Sequence, residues 1–217
     1  MKFKSARPIK RQSGNRKKPK FKIYTFCEGK NTEPLFIEGF SKVKGNGLVI
    51  VECVGAQGAP KQIVQACSDK MRELKKLAKK SADPLDKSFE IWAVFDRDEH
   101  PKVSEALEQA KANDIKIAFS NPCFEIWPLL HFESQTANIH RHTLQKKLKQ
   151  HIPSYNPKTS KLVCPVELDN TGNYEVAKKR AISLISSHER SDTSKIEMNP
   201  STDIFQLFDK IIMNGRS

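Results

Sequence analysis

The residues with the clearest chemical potential are carboxylates placed just after apolar runs. Glu28 follows "FKIYTFC" (21–27), Asp96 and Asp98 follow "SFEIWAVF" (88–95), and Asn121 and Glu125 follow "IKIAFS" (115–120). Extended residues two apart point the same way, so Asp96 and Asp98 present both carboxylates to one side and direct Arg97 elsewhere. Gathering Glu28, Asp96 and Asp98 would raise one or more of their pKa values unless a cation compensates. A hard divalent ion, Mg²⁺ or Mn²⁺, suits oxygen ligands of this kind and retains waters and a substrate phosphate in its shell. Such an ion stabilises negative charge on a phosphodiester and activates water, and two ions can hold both the attacking and leaving oxygens. Taken singly, an Asp-x-Asp is a turn or helix cap, a Glu-Gly is a turn, and Glu33 is a favourable acid in a helical first turn. Their joint placement after successive runs is what points to chemistry.

The surrounding pattern supplies elements able to position these acids. The first run is β-branched and aromatic and reads as a strand. A helix follows, capped by Asn31 or Thr32, with Pro34 in its first turn and Leu35, Phe36, Phe40 and Val43 on one side. "LVIVECV" (48–54) reads as a second strand. The segment from about Pro60 to Lys80 is a basic amphipathic helix with Ile63, Cys67, Met71, Leu74 and Leu77 or Ala78 as its stripe. The nearly continuous apolar end of 88–95 fits a strand covered on both faces. A helix over 102–112 and a strand over 115–120 come next, and Asn121 and Pro122 are placed to start another helix. Four alternations of strand and helix predict an α/β fold, a parallel sheet flanked by helices with right-handed crossovers. Ligands of such sheets lie outside the carboxyl ends of the strands, where these acids fall. Helix N-termini near Thr32 and Pro122 would add partial positive charge for a phosphate. Residues 134–217 are less regular, with helices near 142–150, 174–187 and 202–213. The organisation expected is a basic tail over 1–20, an α/β domain over 21–133, and a mainly helical C-terminal extension over 134–217 packed on the same domain.

Composition narrows the setting. The chain has 217 residues and a formal charge of +13. Nine Lys and Arg lie in residues 1–20, Lys17, Lys18 and Lys20 among them, with no acid, so the remaining body is nearly balanced. A basic tail with little apolar content cannot offset its ordering entropy and is expected to be disordered in isolation. Its matching partner is a polyphosphate such as a nucleic acid. The apolar runs are far shorter than a bilayer span, so no membrane partner is expected. No signal peptide is visible, which places five reduced cysteines in the cytoplasm.

Other residue types carry less. His140 and His142 lack the nearby cysteines or acids of a zinc site. Cys27 and Cys123 adjoin the acidic positions but read as buried packing residues. His131, six residues beyond Glu125, reads as a structural histidine, and Trp92 and Trp127 as core. Lys30 and Arg97 are plausible phosphate contacts because of their neighbours.

"CEGKNTEP" (27–34), "VFDRDEH" (94–100), "SNPCFEIWPLLHFE" (120–133) and "NPSTDI" (199–204) together make the chain resemble the RloB-like, or AbiLii-type, family of phage-defence proteins. The resemblance spans nearly the whole chain after the tail and implies a Toprim-like domain, the catalytic module shared by topoisomerases, primases and OLD-type nucleases. It implies that Asp96 and Asp98 bind the metal and that Glu28 is a ligand or general acid/base. Glu33 would be the second acid of OLD-type nucleases, although "EGKNTE" is one residue longer than their usual spacing. Glu125 belongs to the RloB-type block and would be an added ligand or an anchor behind one. The implied function is a Mg²⁺- or Mn²⁺-dependent nuclease in anti-phage defence, or abortive infection, beside a RloA-like ATPase. No "GxxxxGK[ST]" occurs in this chain. A non-catalytic nucleic-acid-binding or regulatory subunit is the alternative, and nucleotidyl transfer would use the same metal site. A homo-oligomer is left open.

Overall fold

The apolar runs form strands close to where the pattern puts them. In the computed structural model, which describes residues 18–55, 58–97, 102–159 and 161–216, β1 (Phe21–Cys27), β2 (Val49–Val54), β3 (Phe89–Asp96) and β4 (Lys116–Asn121) are parallel. A two-residue β5 (Ser201–Thr202) pairs antiparallel with β4, and the sheet order is β2-β1-β3-β4-β5. The inner strands β1 and β3 bury residues on both faces, which explains their unbroken apolar sequences. Ile23, Cys27, Trp92 and Val94 face one core, and Tyr24, Phe26, Ile91, Ala93 and Phe95 face the other.

Helices cover both faces. The second core is closed by α2 and α3, with α1 (Thr32–Lys44), α2 (Pro60–Lys80) and α3 (Val103–Ala112) as the first three helices. The first core receives α1 together with α4 (Ile126–Leu130), α5 (Arg141–His151), α6 (Pro165–Thr171), α7 (Tyr174–Arg190) and α8 (Phe205–Gly215). Phe208 of α8 packs against Phe40, Trp127 and Phe36, with ring centroids 4.5, 5.5 and 5.6 Å apart. The C-terminal helices therefore share one core with the parallel sheet. Because α1 leaves β1 on one face and α2 returns to β3 on the other, the chain changes direction across the sheet between β1 and β3. A parallel sheet opens a crevice at that switch point, at its carboxyl ends.

Several local expectations are corrected. Leu35 is 48% exposed, and the inward side of α1 is Phe36, Ile37 and Phe40. Leu77 is likewise exposed, whereas Val64 joins the buried stripe of α2. Asn121 does not cap a helix. It is the last residue of β4, paired with Ser201, and its side-chain amide donates to the Ile196 carbonyl, so α4 begins only at Ile126. No helix N-terminus lies at Pro122, which follows a cis bond. Thr202 belongs to β5, so the helix expected from there starts at Phe205. The seven-residue α6 went unanticipated.

Lys18 and Lys20 are exposed at the amino end of β1, opposite the crevice, and Lys20 Nζ donates to the Arg216 carbonyl. Among the described residues no helix is long and apolar enough to cross a membrane.

Candidate active site

The register of the two inner strands brings the first acids together. Cys27 pairs with Val94, so Glu28 and Asp96 emerge side by side at the carboxyl edge. The Glu28 N–H donates to the Val94 carbonyl at 3.1 Å, and the Asp96 N–H approaches Glu28 Oε2 at 3.4 Å. A tight connection, residues 28–31, then starts α1 and turns Glu33 back over the crevice. Gly29 permits this approach, because a Cβ there would collide with Glu33 Oε2. Gly55, after β2, is similarly close-packed: its Cβ would lie 2.7 Å from the Gly29 carbonyl. The fourth carboxylate, Glu125, lies on the connection from β4 to α4. Together Glu28, Glu33, Asp96 and Glu125 line a cavity of about 200 Å³, which also meets Cys123, Arg141, Gln145 and Lys161.

This concentration of carboxylates is electrostatically unfavourable by itself. Burial pushes the Glu33 carboxyl above its ordinary value, and the charges of Glu125 and Glu28 push it further, with Lys161 opposing. Asp96 is held well above the usual carboxylate range, first by removal from bulk water and then by Glu33, Glu125 and Glu28. The Phe124 backbone N–H partly offsets that shift. Glu125 is fixed differently, since its Oε1 accepts from Tyr155 Oη at 2.8 Å and Gln145 Nε2 at 3.0 Å. Glu33 Oε2 is buried without a hydrogen-bond partner.

The oxygen donors and their mutual repulsion fit a hard cation. Among the described residues no three His, Cys, Asp or Glu side chains form a ready-made ligand group. Asp98 lies outside the described residues, as does Lys17 of the basic tail. The fit therefore rests on crowded carboxyls and the partnerless Glu33 oxygen, which gain most from an added positive charge.

The remaining candidates separate clearly. Arg97 Nε donates to the Ile196 carbonyl at 3.1 Å, and its backbone N–H to the Ser120 carbonyl, so it ties β3 to the C-terminal part. Lys30 is exposed in the connection beside the cavity. Cys27 and Cys123 are buried, and burial raises both thiols well above their ordinary range, which keeps them protonated. His140 and His142 are exposed, with rings 5.0 Å apart, and His140 Nδ1 caps α5. His131 is buried against Trp127, its ring nitrogens have no hydrogen-bond partner, and burial lowers its pKa to about 4. It is a neutral core residue.

Sequence reasoning missed Arg141, Gln145, Tyr155 and Lys161. They come from α5 and the connection after it, more than a dozen residues beyond the last acid, and no local spacing relates them to the strand ends. The "NPSTDI" block also acquires a physical role. Ser120 Oγ and Thr202 Oγ1 share a hydrogen bond of 2.9 Å, and Asp203 Oδ1 accepts from the Phe119 N–H at 2.6 Å, closing the sheet next to β4.

Residues 23–211 match the family model described as RloB-like protein. No curated protein and no solved structure matches the chain.

Proposed function

We propose that this chain, which belongs to the RloB-like family, is a Toprim-like, divalent-metal-dependent nuclease of the AbiLii type that cuts DNA or RNA. The carrying observation is the cavity where Glu33 and Asp96, both with raised carboxyl pKa values, crowd against Glu28 and Glu125 at the β1/β3 switch point. Asp96, Asp98 and Glu28 would hold Mg²⁺ or Mn²⁺, with Glu33 and Glu125 as further oxygens. The bound ion supplies Lewis-acid stabilisation of charge on the phosphodiester.

The chain's own groups divide the rest of the work. Glu28 sits at the mouth of the cavity on a short connection, where its carboxylate can accept a proton from the attacking water or return one to the leaving oxygen. Tyr155 and Gln145 fix Glu125 from behind. The reacting phosphate approaches along the carboxyl edge of the sheet, where the four acids lie. The setting is anti-phage defence in the cytoplasm with a RloA-like ATPase as partner.

The test is cleavage of labelled single-stranded DNA, duplex DNA, RNA and transfer RNA with Mg²⁺ or Mn²⁺, with and without that ATPase. Glu28→Gln and Asp96→Asn are each expected to reduce cleavage at least about 100-fold while the protein stays folded, the scale on which charge-stabilising groups act. A wild type that cuts none of these substrates ends the nuclease reading. Retained binding and defence in the acid variants would instead identify a non-catalytic subunit.

A further inference from the structure

We infer that the C-terminal helical part supplies the phosphate contact of this cavity, through Lys161 and Arg141. The inference rests on the nucleic-acid reading of the site and adds which residues receive the substrate.

Four carboxylates repel an incoming phosphodiester, so an approach path needs fixed cations at the cavity wall as well as any ion within it. Of the residues lining the cavity, Arg141 and Lys161 are the two with permanent positive charge. Lys161 is exposed, and its charge reaches Glu33 on the opposite wall. Among the described residues it forms no side-chain hydrogen bond or ion pair, unlike Lys44, Lys147, Lys178 and Lys195, which hold acids of their own. Arg141 is the first residue of α5, half-buried, and its charge is felt at Cys123 on the cavity floor. Lys161 offers a mobile point charge, and Arg141 adds a fixed positive charge to the same wall. The pair can therefore attract a phosphate to the cavity.

The alternative source of cations is badly placed. Lys18 and Lys20 stand at the amino end of β1. A seven-residue strand separates them from Glu28 by roughly 23 Å at about 3.3 Å per residue. Arg97 is already engaged with the Ile196 carbonyl. Basic groups near the tail can hold distant phosphates of a long substrate, whereas the phosphate at the acids has to be met by groups on the cavity wall.

The experiment uses the full chain with Ca²⁺ in place of Mg²⁺, so that binding is read without turnover. Fluorescently labelled single-stranded 12-mers of DNA and of RNA are titrated over a range of salt, and cleavage kinetics are measured separately with Mg²⁺. Lys161→Gln and Arg141→Gln are each expected to weaken binding several-fold and to lower the slope of log affinity against log salt by about 0.7, the value for one phosphate contact on a single strand. KM should rise with little change in kcat, and Lys161→Arg should restore binding. A Lys18→Gln, Lys20→Gln chain should lose part of the salt dependence on the 12-mer, keeping the share due to Lys161 and Arg141, but bind a dinucleotide, which is too short to span the strand, like wild type. Unfolding temperatures of the variants guard against simple loss of fold. Wild-type affinity and slope in both cavity variants, with cleavage intact, would overturn this inference and leave the nuclease reading standing. Lys161-dependent binding without cleavage would do the reverse.

Discussion

Glu33 offers the sharpest test of a pocket that is electrostatically strained until a cation enters. The residue is 7% exposed, its Oε2 has no partner, and its carboxyl is raised by burial and by Glu125 and Glu28. A carboxyl raised in the folded state holds its proton more tightly there than in the unfolded chain. That contribution to stability is fully present below the ordinary value of 4.5 and is lost as pH rises through the folded value. Glu33→Gln removes the charge and keeps the shape, and the neighbouring carboxylates that repel the acid attract the amide N–H. A buried polar group without a partner costs about 1–3 kcal/mol. At pH 8 in chelator the variant should therefore be more stable than wild type by that amount, or roughly 2–4 °C in Tm for each kcal/mol in a chain of this size. The gain should vanish below about pH 4. Millimolar Mg²⁺ or Mn²⁺ should raise wild type more than the variant, because a ligand at 100 times its Kd adds about 2.7 kcal/mol. The measurement is thermal unfolding by circular dichroism across pH, with and without metal. If Glu33→Gln unfolds at or below the wild-type temperature at pH 8 in chelator, the strain reasoning is wrong.

Two further predictions concern the core behind the sheet and the support of Glu125. His131 is neutral and buried, with its pKa lowered from 6.5 to about 4, so its contribution is intact above 6.5 and is lost as pH falls towards 4, by up to about 3 kcal/mol. His131→Phe keeps a ring against Trp127 and should narrow the gap to wild type, or reverse it, on moving from pH 7 to pH 4.5; an unchanged difference in unfolding free energy between those pH values would count against a buried neutral imidazole. Tyr155→Phe removes the 2.8 Å hydrogen bond to Glu125 Oε1 and should lower stability by about 1.5–3 kcal/mol, the range for a bond to a charged acceptor. An unshifted urea midpoint would show that Gln145 alone suffices to hold Glu125.

The legible parts of this fold are those where one periodicity dominates. The first strand and α2 begin and end where their patterns predict, because aromatic and β-branched residues in one and a long 3.6-residue stripe in the other leave little choice. Leu35 misleads because an apolar side chain at a plausible helical position gives no information about which 100° of the surface meets the sheet. Asn121-Pro122 misleads for another reason: the pair is a good helix start locally, but β5, about 80 residues later, claims Asn121 as a strand partner. Separation in sequence likewise hid the part of the cavity wall that comes from α5 and the connection after it. Glu28, Asp96 and Glu125 follow strands and can be placed by topology, whereas Tyr155, Gln145 and Lys161 reach the site through tertiary packing alone.

The packing of α8 on α1 also governs how the protein can be made. Phe40 lies early in the chain and finds its closest aromatic partner, Phe208, roughly 170 residues later, a wait of some ten to thirty seconds at ordinary rates of synthesis. Until α8 emerges from the ribosome, the helix that carries Glu33 has an uncovered aromatic face and no settled position over the strand ends. Incomplete chains are thus expected to be sticky rather than active, and the wall bearing Arg141 and Lys161 is translated before the helix that locks the opposite wall. A host producing this protein would meet the assembled pocket only once α8 had been synthesised.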